Sequence, residues 1–304
     1  MLIKAVESYI EIRRAAGYGM RRVEPILRSF ADFAAKHRQM HVVANTAIEW
    51  ASRASSPLQR DLRLETVIRF ARHIRAEDSR HEIPPHGVFG HQSQRRPVPF
   101  IFSPEETHKL VEEALHLGPP NSLRPYTYST LFSLLTATGL RISEASGLRL
   151  HDITADGLLI RETKFHKSRL IPLHETAEAG LARYLARRRL LTHAEDYLFV
   201  SLRGHKLCYE AVWETFNSLV RAAGIQNGSR HAKPHIHSFR HTFAVRALEA
   251  CPNGSKRIAE HILAVSTYMG HSSLASTYWY LEATPSLMND IAEAWQLILE
   301  GGAR

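Results

Sequence analysis

Between His81 and Pro99 the chain loses every apolar period it shows elsewhere, and this break constrains its folding more than any other feature. The stretch holds Pro84-Pro85, Gly87, Gly90, Arg95-Arg96, Pro97 and Pro99. Proline lacks a backbone N–H and fixes φ, so neither a helix interior nor a central strand can run through it. The segment therefore reads as a linker, extended in parts and basic near its end. It divides the chain into an expected helical domain over residues 1–82, a linker over 83–99 and a second domain over 100–304. A hydrophobic content of 44% is ample for packed cores on both sides.

The front part is helical by periodicity. Leu2, Val6, Tyr9 and Ile10 form one stripe, ended by Gly17 and Gly19. Val23, Ile26, Leu27, Phe30, Phe33 and Ala34 form a second. Thr46 is placed to cap a short third helix with Ile48 and Trp50. A fourth runs through Leu64, Val67, Ile68, Ala71 and Ile74, and its other positions carry Arg60, Arg63, Arg69, Arg72 and Arg75. Such arginines serve either solubility or a phosphate backbone. The net charge of +9, with a pI near 9.7, points towards a polyanionic partner.

The second part mixes helices with a hairpin. Ser103-Pro104-Glu105-Glu106 is a capping box with proline in the first turn. An apolar helix follows over Tyr126 to Thr136, then Thr138-Gly139-Leu140-Arg141-Ile142-Ser143-Glu144. Gly139 permits a tight turn, and Arg141 and Glu144 lie three apart on a short helix. Residues 158–162 and 169–173 read as strands joined by a hairpin over 163–167. Helices are expected near 176–190 and 209–223. A last one, from Thr284-Pro285, carries Leu287, Ile291, Ala294, Trp295 and Ile298 on one face. The expected fold class is mainly α with a small β-sheet.

The chemistry concentrates between His237 and Tyr280. His237 and Arg240 share a face in His237-Ser238-Phe239-Arg240-His241, on an apolar run with Phe239, Phe243, Ala247 and Ala250. A cation beside a titratable imidazole suits an oxyanion that needs charge and a proton. Tyr280, nine residues after His271, is a candidate oxygen nucleophile that needs activating neighbours. His237 and His241, four apart, hint at a metal, but no third ligand or His-Glu-x-x-His accompanies them, and no ATP-binding P-loop occurs. No metal or other cofactor is expected. Cys208 and Cys251 make no disulfide framework, the N-terminus does not read as a signal peptide, and no apolar run of about 18 residues exists to span a membrane. A cytoplasmic location is expected.

The order Thr-Gly-Leu-Arg-Ile-Ser-Glu, then His-x-x-Arg-His, then Gly-His, then tyrosine resembles the tyrosine recombinase (phage integrase) family. That resemblance implies an N-terminal core-binding bundle and a mixed α/β catalytic domain with a C-terminal exchange helix. It implies that Tyr280 attacks a scissile phosphodiester of duplex DNA, giving a 3′-phosphotyrosyl bond and a free 5′-hydroxyl. Arg141 and Arg240 would hold the non-bridging oxygens, His237 would relay the tyrosine proton, and His271 would donate to a non-bridging oxygen. Lys164, from Lys-x-x-Lys-x-Arg in the hairpin, would protonate the leaving oxygen, although Phe165 replaces the family's usual glycine there. Glu144 would orient Arg141. Arg60, Arg63, Arg69, Arg72, Arg95, Arg96, Lys167 and Arg169 are the expected DNA contacts. The implied partners are duplex DNA with specific sites and further copies of the chain, a dimer on each site and a tetramer in the synapse, with or without other recombinases. The role would be integration, excision or transposition. A type IB topoisomerase-like activity and a DNA-binding module without catalysis remain the alternatives.

Overall fold

A computed structural model describes residues 2–90, 99–161, 168–191, 193–226, 233–250 and 255–270, with Thr277 and Tyr280, the side chains of 255–258 excepted. The chain divides into two compact units, Met1–Arg95 and Arg96–Arg304.

The first unit is built from α1 (Leu2–Ala15), α2 (Val23–Lys36), α3 (Ala44–Ser52) and α4 (Pro57–Ile74). The apolar stripes converge, and Leu27, Phe30, Ala34, Val67, Phe70 and Ala71 lose essentially all exposure. Ser56 caps α4 by accepting from the Gln59 N–H at 3.3 Å, with Pro57 in the first turn. The cap expected at Thr46 does not form. The helix starts at Ala44, and the buried Thr46 accepts from Gln39 Nε2 at 2.7 Å instead. Beyond α4 the chain is tied back to the α2–α3 connection: His81 Nδ1 accepts the Val42 N–H at 3.0 Å, and Glu82 accepts the Ala44 N–H at 2.7 Å. Ile83 and Phe89, assigned to the linker by composition, pack on this core.

The second unit comprises α5 (Pro104–Leu115), α6 (Arg124–Thr138), α7 (Ile142–Ala145), β1 (Ile153–Thr154), β2 (Gly157–Ile160), β3 (Arg169–Ile171), α8 (Glu175–Arg188), α9 (Tyr209–Ala222), α10 (Ser238–Glu249) and α11 (Ser255–Met269). The sheet is antiparallel in the order β1-β2-β3, with Leu158 opposite Ile171 and Ile160 opposite Arg169. The fold is thus mostly helical with a small three-stranded sheet, as the sequence leads one to expect. The segment joining β2 to β3 lies outside the described residues.

The centre of this unit is α10. The spacing predicts one apolar stripe, yet Ser238, Phe239, Arg240, His241, Thr242, Ala244, Val245 and Leu248 are all buried, while Ala250 is exposed. The cause is packing on several sides at once. Phe239 stacks on Phe102 at 5.0 Å and on Phe132 at 5.5 Å, on the side of α6. Ala244, Val245 and Leu248 join Ile262, Val265 and Met269 of α11. A helix that is enclosed all round must also bury its polar residues, and each then needs a partner. Thr242 meets this need by donating to the Ser238 carbonyl at 2.9 Å and accepting from the Phe102 N–H at 2.9 Å.

Candidate active site

Three chain turns meet at the start of α10. The first follows α6, where Gly139 ends the helix with φ +61, and a Cβ there would lie 2.6 Å from Cδ1 of Phe243. Only glycine satisfies both conditions. The turn delivers Arg141 to the start of α7. The Glu144 carboxylate accepts the Arg141 backbone N–H at 2.9 Å and its Nη1 at 2.8 Å. The second turn is the end of α11, where Gly270 has φ +65. The third is the entry to α10, where His237 occupies the cap position.

Arg240 ties these turns together. It is 2% exposed and donates to the Gly139 carbonyl at 2.8 Å and the Met269 carbonyl at 2.5 Å. Arg141 Nη2 reaches the Gly270 carbonyl at 3.4 Å. Burial, and then the neighbouring Arg141 charge, push Arg240 down to about 10, which leaves it cationic at neutral pH. Burial pushes the Glu144 carboxyl upward, but hydrogen bonds from Arg169 and the Arg141 N–H, together with both guanidinium charges, outweigh it and hold the group below the usual range. Glu144 is therefore an anion among arginines.

Tyr280 is 3% exposed and packs with Ala244, Val245, Leu248 and Met269. Its hydroxyl lies 3.0 Å from His241 Nδ1. Burial and the neighbouring His237 hold His241 down to about 3, so its imidazole is neutral and Nδ1 can accept the phenol O–H. His237 is exposed at the site's mouth, and its pKa is lowered by desolvation of its ring and by the Arg240 charge. The rings of His237 and His241 are 4.7 Å apart, and those of His235 and His241 5.6 Å. Among the described residues no group of three or more His, Cys, Asp or Glu side chains is arranged to hold a metal ion.

Of the residues singled out from the sequence, Arg141, Glu144, His237, Arg240 and Tyr280 converge here. Lys164, Lys167, His271, Arg95 and Arg96 lie outside the described residues. Arg169, expected as a DNA contact, turns inward: its two Nη atoms donate to Glu144 at 3.1 and 2.8 Å, and its side chain is only 14% exposed. In the first unit, Arg69 and Arg72 are exposed, whereas Arg60 donates to the Ala54 carbonyl at 2.9 Å and Arg63 lies 5.2 Å from the Trp50 ring centre. Sequence reasoning missed the part played by His241. Its spacing of four from His237 is a visible signal, but in sequence it suggests only a metal site.

A mostly helical unit with a small antiparallel sheet, presenting arginines and a tyrosine around one buried helix, has the fold of tyrosine recombinases. The phage integrase family pattern matches residues 102–286, and the chain belongs to that family. Membership makes it an enzyme of the site-specific recombinase type. The inferred integrase/recombinase y4rB of Sinorhizobium fredii is 37% identical over 297 residues, covering 94% of each chain. A tyrosine recombinase XerD of Lacticaseibacillus casei is 35% identical over 155 residues, covering 49% of this chain and 48% of the relative. Among solved structures, the XerH recombinase bound to its palindromic difH substrate superposes with a TM-score of 0.66 at 20% identity, covering 89% of this chain and 78% of that one. The Tn1549 transposon integrase with its right-end DNA gives a TM-score of 0.62 at 18% identity, covering 91% and 94%.

Proposed function

We propose that the chain cleaves and rejoins duplex DNA at specific sites through a covalent bond to Tyr280. The observation that carries this reading is the convergence of a buried, charged Arg240 and a Glu144-held Arg141 on the same two turns, next to the Tyr280 hydroxyl. Planar guanidinium donors suit the two non-bridging oxygens of a phosphodiester, whose charge grows in the transition state. Tyr280 Oη attacks phosphorus, and the bond to the 5′-oxygen breaks. The tyrosine proton leaves by way of His237 as relay, and Lys164 supplies a proton to the departing 5′-oxygen, which leaves as a 5′-hydroxyl. His271 donates to a non-bridging oxygen. A 5′-hydroxyl from another strand reverses the step, and the phosphotyrosyl bond conserves the energy of the broken ester, so the step needs neither ATP nor a metal. His241 is neutral, and its Nδ1, 3.0 Å from the Tyr280 hydroxyl, serves as a hydrogen-bond acceptor that orients the phenol.

The residue-range division into a core-binding domain, linker and catalytic domain belongs to this reading. So do DNA contacts by Arg60, Arg63, Arg69, Arg72, Arg95, Arg96 and Lys167, assembly as a dimer on each site and a tetramer in the synapse, and action in the cytoplasm. No helix among the described residues is long and apolar enough to cross a membrane. The biological role proposed is integration, excision or transposition, in keeping with the relatives' names.

A nicked suicide substrate tests the chemistry, because loss of the fragment beyond the nick traps the adduct. Wild type should accumulate a covalent protein–DNA species. Tyr280→Phe should form none while binding DNA as tightly. An adduct that still forms on Tyr280→Phe would move the nucleophile elsewhere.

A further inference from the structure

Resting on the reading above, we infer that Arg169 is a positioning residue for cleavage: it fixes Glu144, and through it Arg141, and it sets the turn at Gly270. The geometry is specific. Both oxygens of Glu144 are engaged by Arg169, Oε1 at 3.1 Å and Oε2 at 2.8 Å, while Oε1 also receives Arg141 Nη1 at 2.8 Å and Oε2 the Arg141 N–H at 2.9 Å. The carboxylate is thus held by a fork from β3 on one side and presents Arg141 on the other. A lone contact between Arg141, which caps α7, and Glu144 within that four-residue helix would be a weak, rotatable pair. A bidentate fork removes the rotation of the carboxylate and so defines where Arg141 points.

The same guanidinium also abuts the α11 terminus. A Cβ added to Gly270 would lie 3.0 Å from Arg169 Nη1 and 3.3 Å from its Cζ. Gly270 immediately precedes His271, and its carbonyl is the atom that Arg141 Nη2 approaches. One arginine therefore touches two of the three turns that frame the site. Stability alone is a poor account of it. Arg169 Nε is buried with no hydrogen-bond partner among the described residues, an arrangement that costs free energy. Buried ion pairs seldom stabilise more than apolar residues of the same volume, so position is the better explanation. Nor is Arg169 available to a phosphate, since both its Nη atoms already face Glu144.

The inference has a signature that mere packing lacks. Among the described residues, the charged and titratable groups facing Glu144 are Arg141 at the start of its own helix, Arg169 from β3, Arg240 from α10 and His237 at the start of α10. Removing Arg169 leaves the burial of Glu144 less opposed, so its carboxyl should take up a proton at a higher pH. A protonated Glu144 releases Arg141.

Three whole-chain proteins decide the matter: wild type, Arg169→Met and Arg169→Lys. Single-turnover cleavage of the nicked substrate is measured from pH 8 to 5.5, with DNA affinity and thermal melting alongside. Relative to wild type, Arg169→Met should cleave about 10- to 100-fold more slowly, the usual range for loss of a supporting partner, with its deficit widening as pH falls and its affinity unchanged. Arg169→Lys, which keeps the charge but not the fork, should lose less and show no widening. Carbon-13 NMR titration of the Glu144 carboxyl in DNA-free protein, assigned with Glu144→Gln, should give a raised midpoint in Arg169→Met. A deficit independent of pH with an unchanged midpoint would overturn the inference, as would a loss of affinity equal to the loss of rate. If Arg169→Met does not fold, Arg169→Lys decides alone: cleavage equal to wild type overturns the inference. Failure of wild type itself to form an adduct would count against the proposed function, while the carboxyl titration still judges the link between Arg169 and Glu144.

Discussion

His241 sets a pH limit on the fold that can be stated with its sign. Its imidazole titrates at about 3 in the folded chain, through burial first and then the neighbouring His237, against about 6.5 for a free histidine. Between those values the unfolded chain binds a proton that the folded chain refuses. Stability is therefore complete above about pH 6.5 and falls as pH is lowered towards 3, by at most about 1.4 kcal/mol per pH unit for one such group. Urea unfolding followed at pH 7.5 and at pH 5 should show this loss. His241→Asn, which keeps an acceptor near the Nδ1 position without a titrating ring, should flatten the dependence. Equal pH slopes in the two proteins would refute the assignment.

At the scale of elements, two helix ends illustrate how different local devices can be. The Ser103 hydroxyl accepts the Glu106 N–H at 3.1 Å while the Glu106 carboxylate accepts the Ser103 N–H at 2.8 Å, the reciprocal box legible in the sequence. Ser103→Ala should cost about 1 kcal/mol and leave cleavage unchanged, because the Ser103 hydroxyl bonds Glu105 and Glu106 within the cap rather than a residue of the site. Gly139 ends α6 with a positive φ, and its carbonyl receives Arg240. Gly139→Ala would add backbone strain to a clash with Phe243 and should destabilise by more than about 2 kcal/mol while displacing Arg240 from its acceptor. Paired denaturant melts and single-turnover assays separate the two. A Gly139→Ala protein with wild-type stability and rate would show that the turn does not frame the site.

For the whole molecule, the net charge of +9 and the exposed Arg69 and Arg72 on α4 lead to a prediction about salt. If both units grip one duplex, log affinity should fall linearly with log salt, with a slope near −0.9 for each phosphate contacted. A fragment over residues 98–304 should bind its site more weakly and with a shallower slope. Affinity and slope equal to those of the whole chain would remove the first unit from the interface.

The sequence by itself determined the apolar stripes of α1, α2 and α4, the capping box at Ser103, the strands β2 and β3 and the order of Arg141, Glu144, His237, Arg240 and Tyr280. These depend on spacings within a few residues, where the 3.6-residue and two-residue periods of the backbone dictate which side chains share a face. The family, too, was legible, because its motifs are local and ordered. Only the tertiary structure decided that Arg169 faces Glu144 across 25 residues and that Tyr280 faces His241 across 39. The same holds for α10, whose stripe becomes a helix buried on nearly every side. Periodicity can name an apolar face. It carries no record of how many neighbours will pack on a helix, and a basic side chain looks the same in sequence whether it meets a phosphate or a carboxylate. That choice is made by desolvation and by the partner that packing supplies.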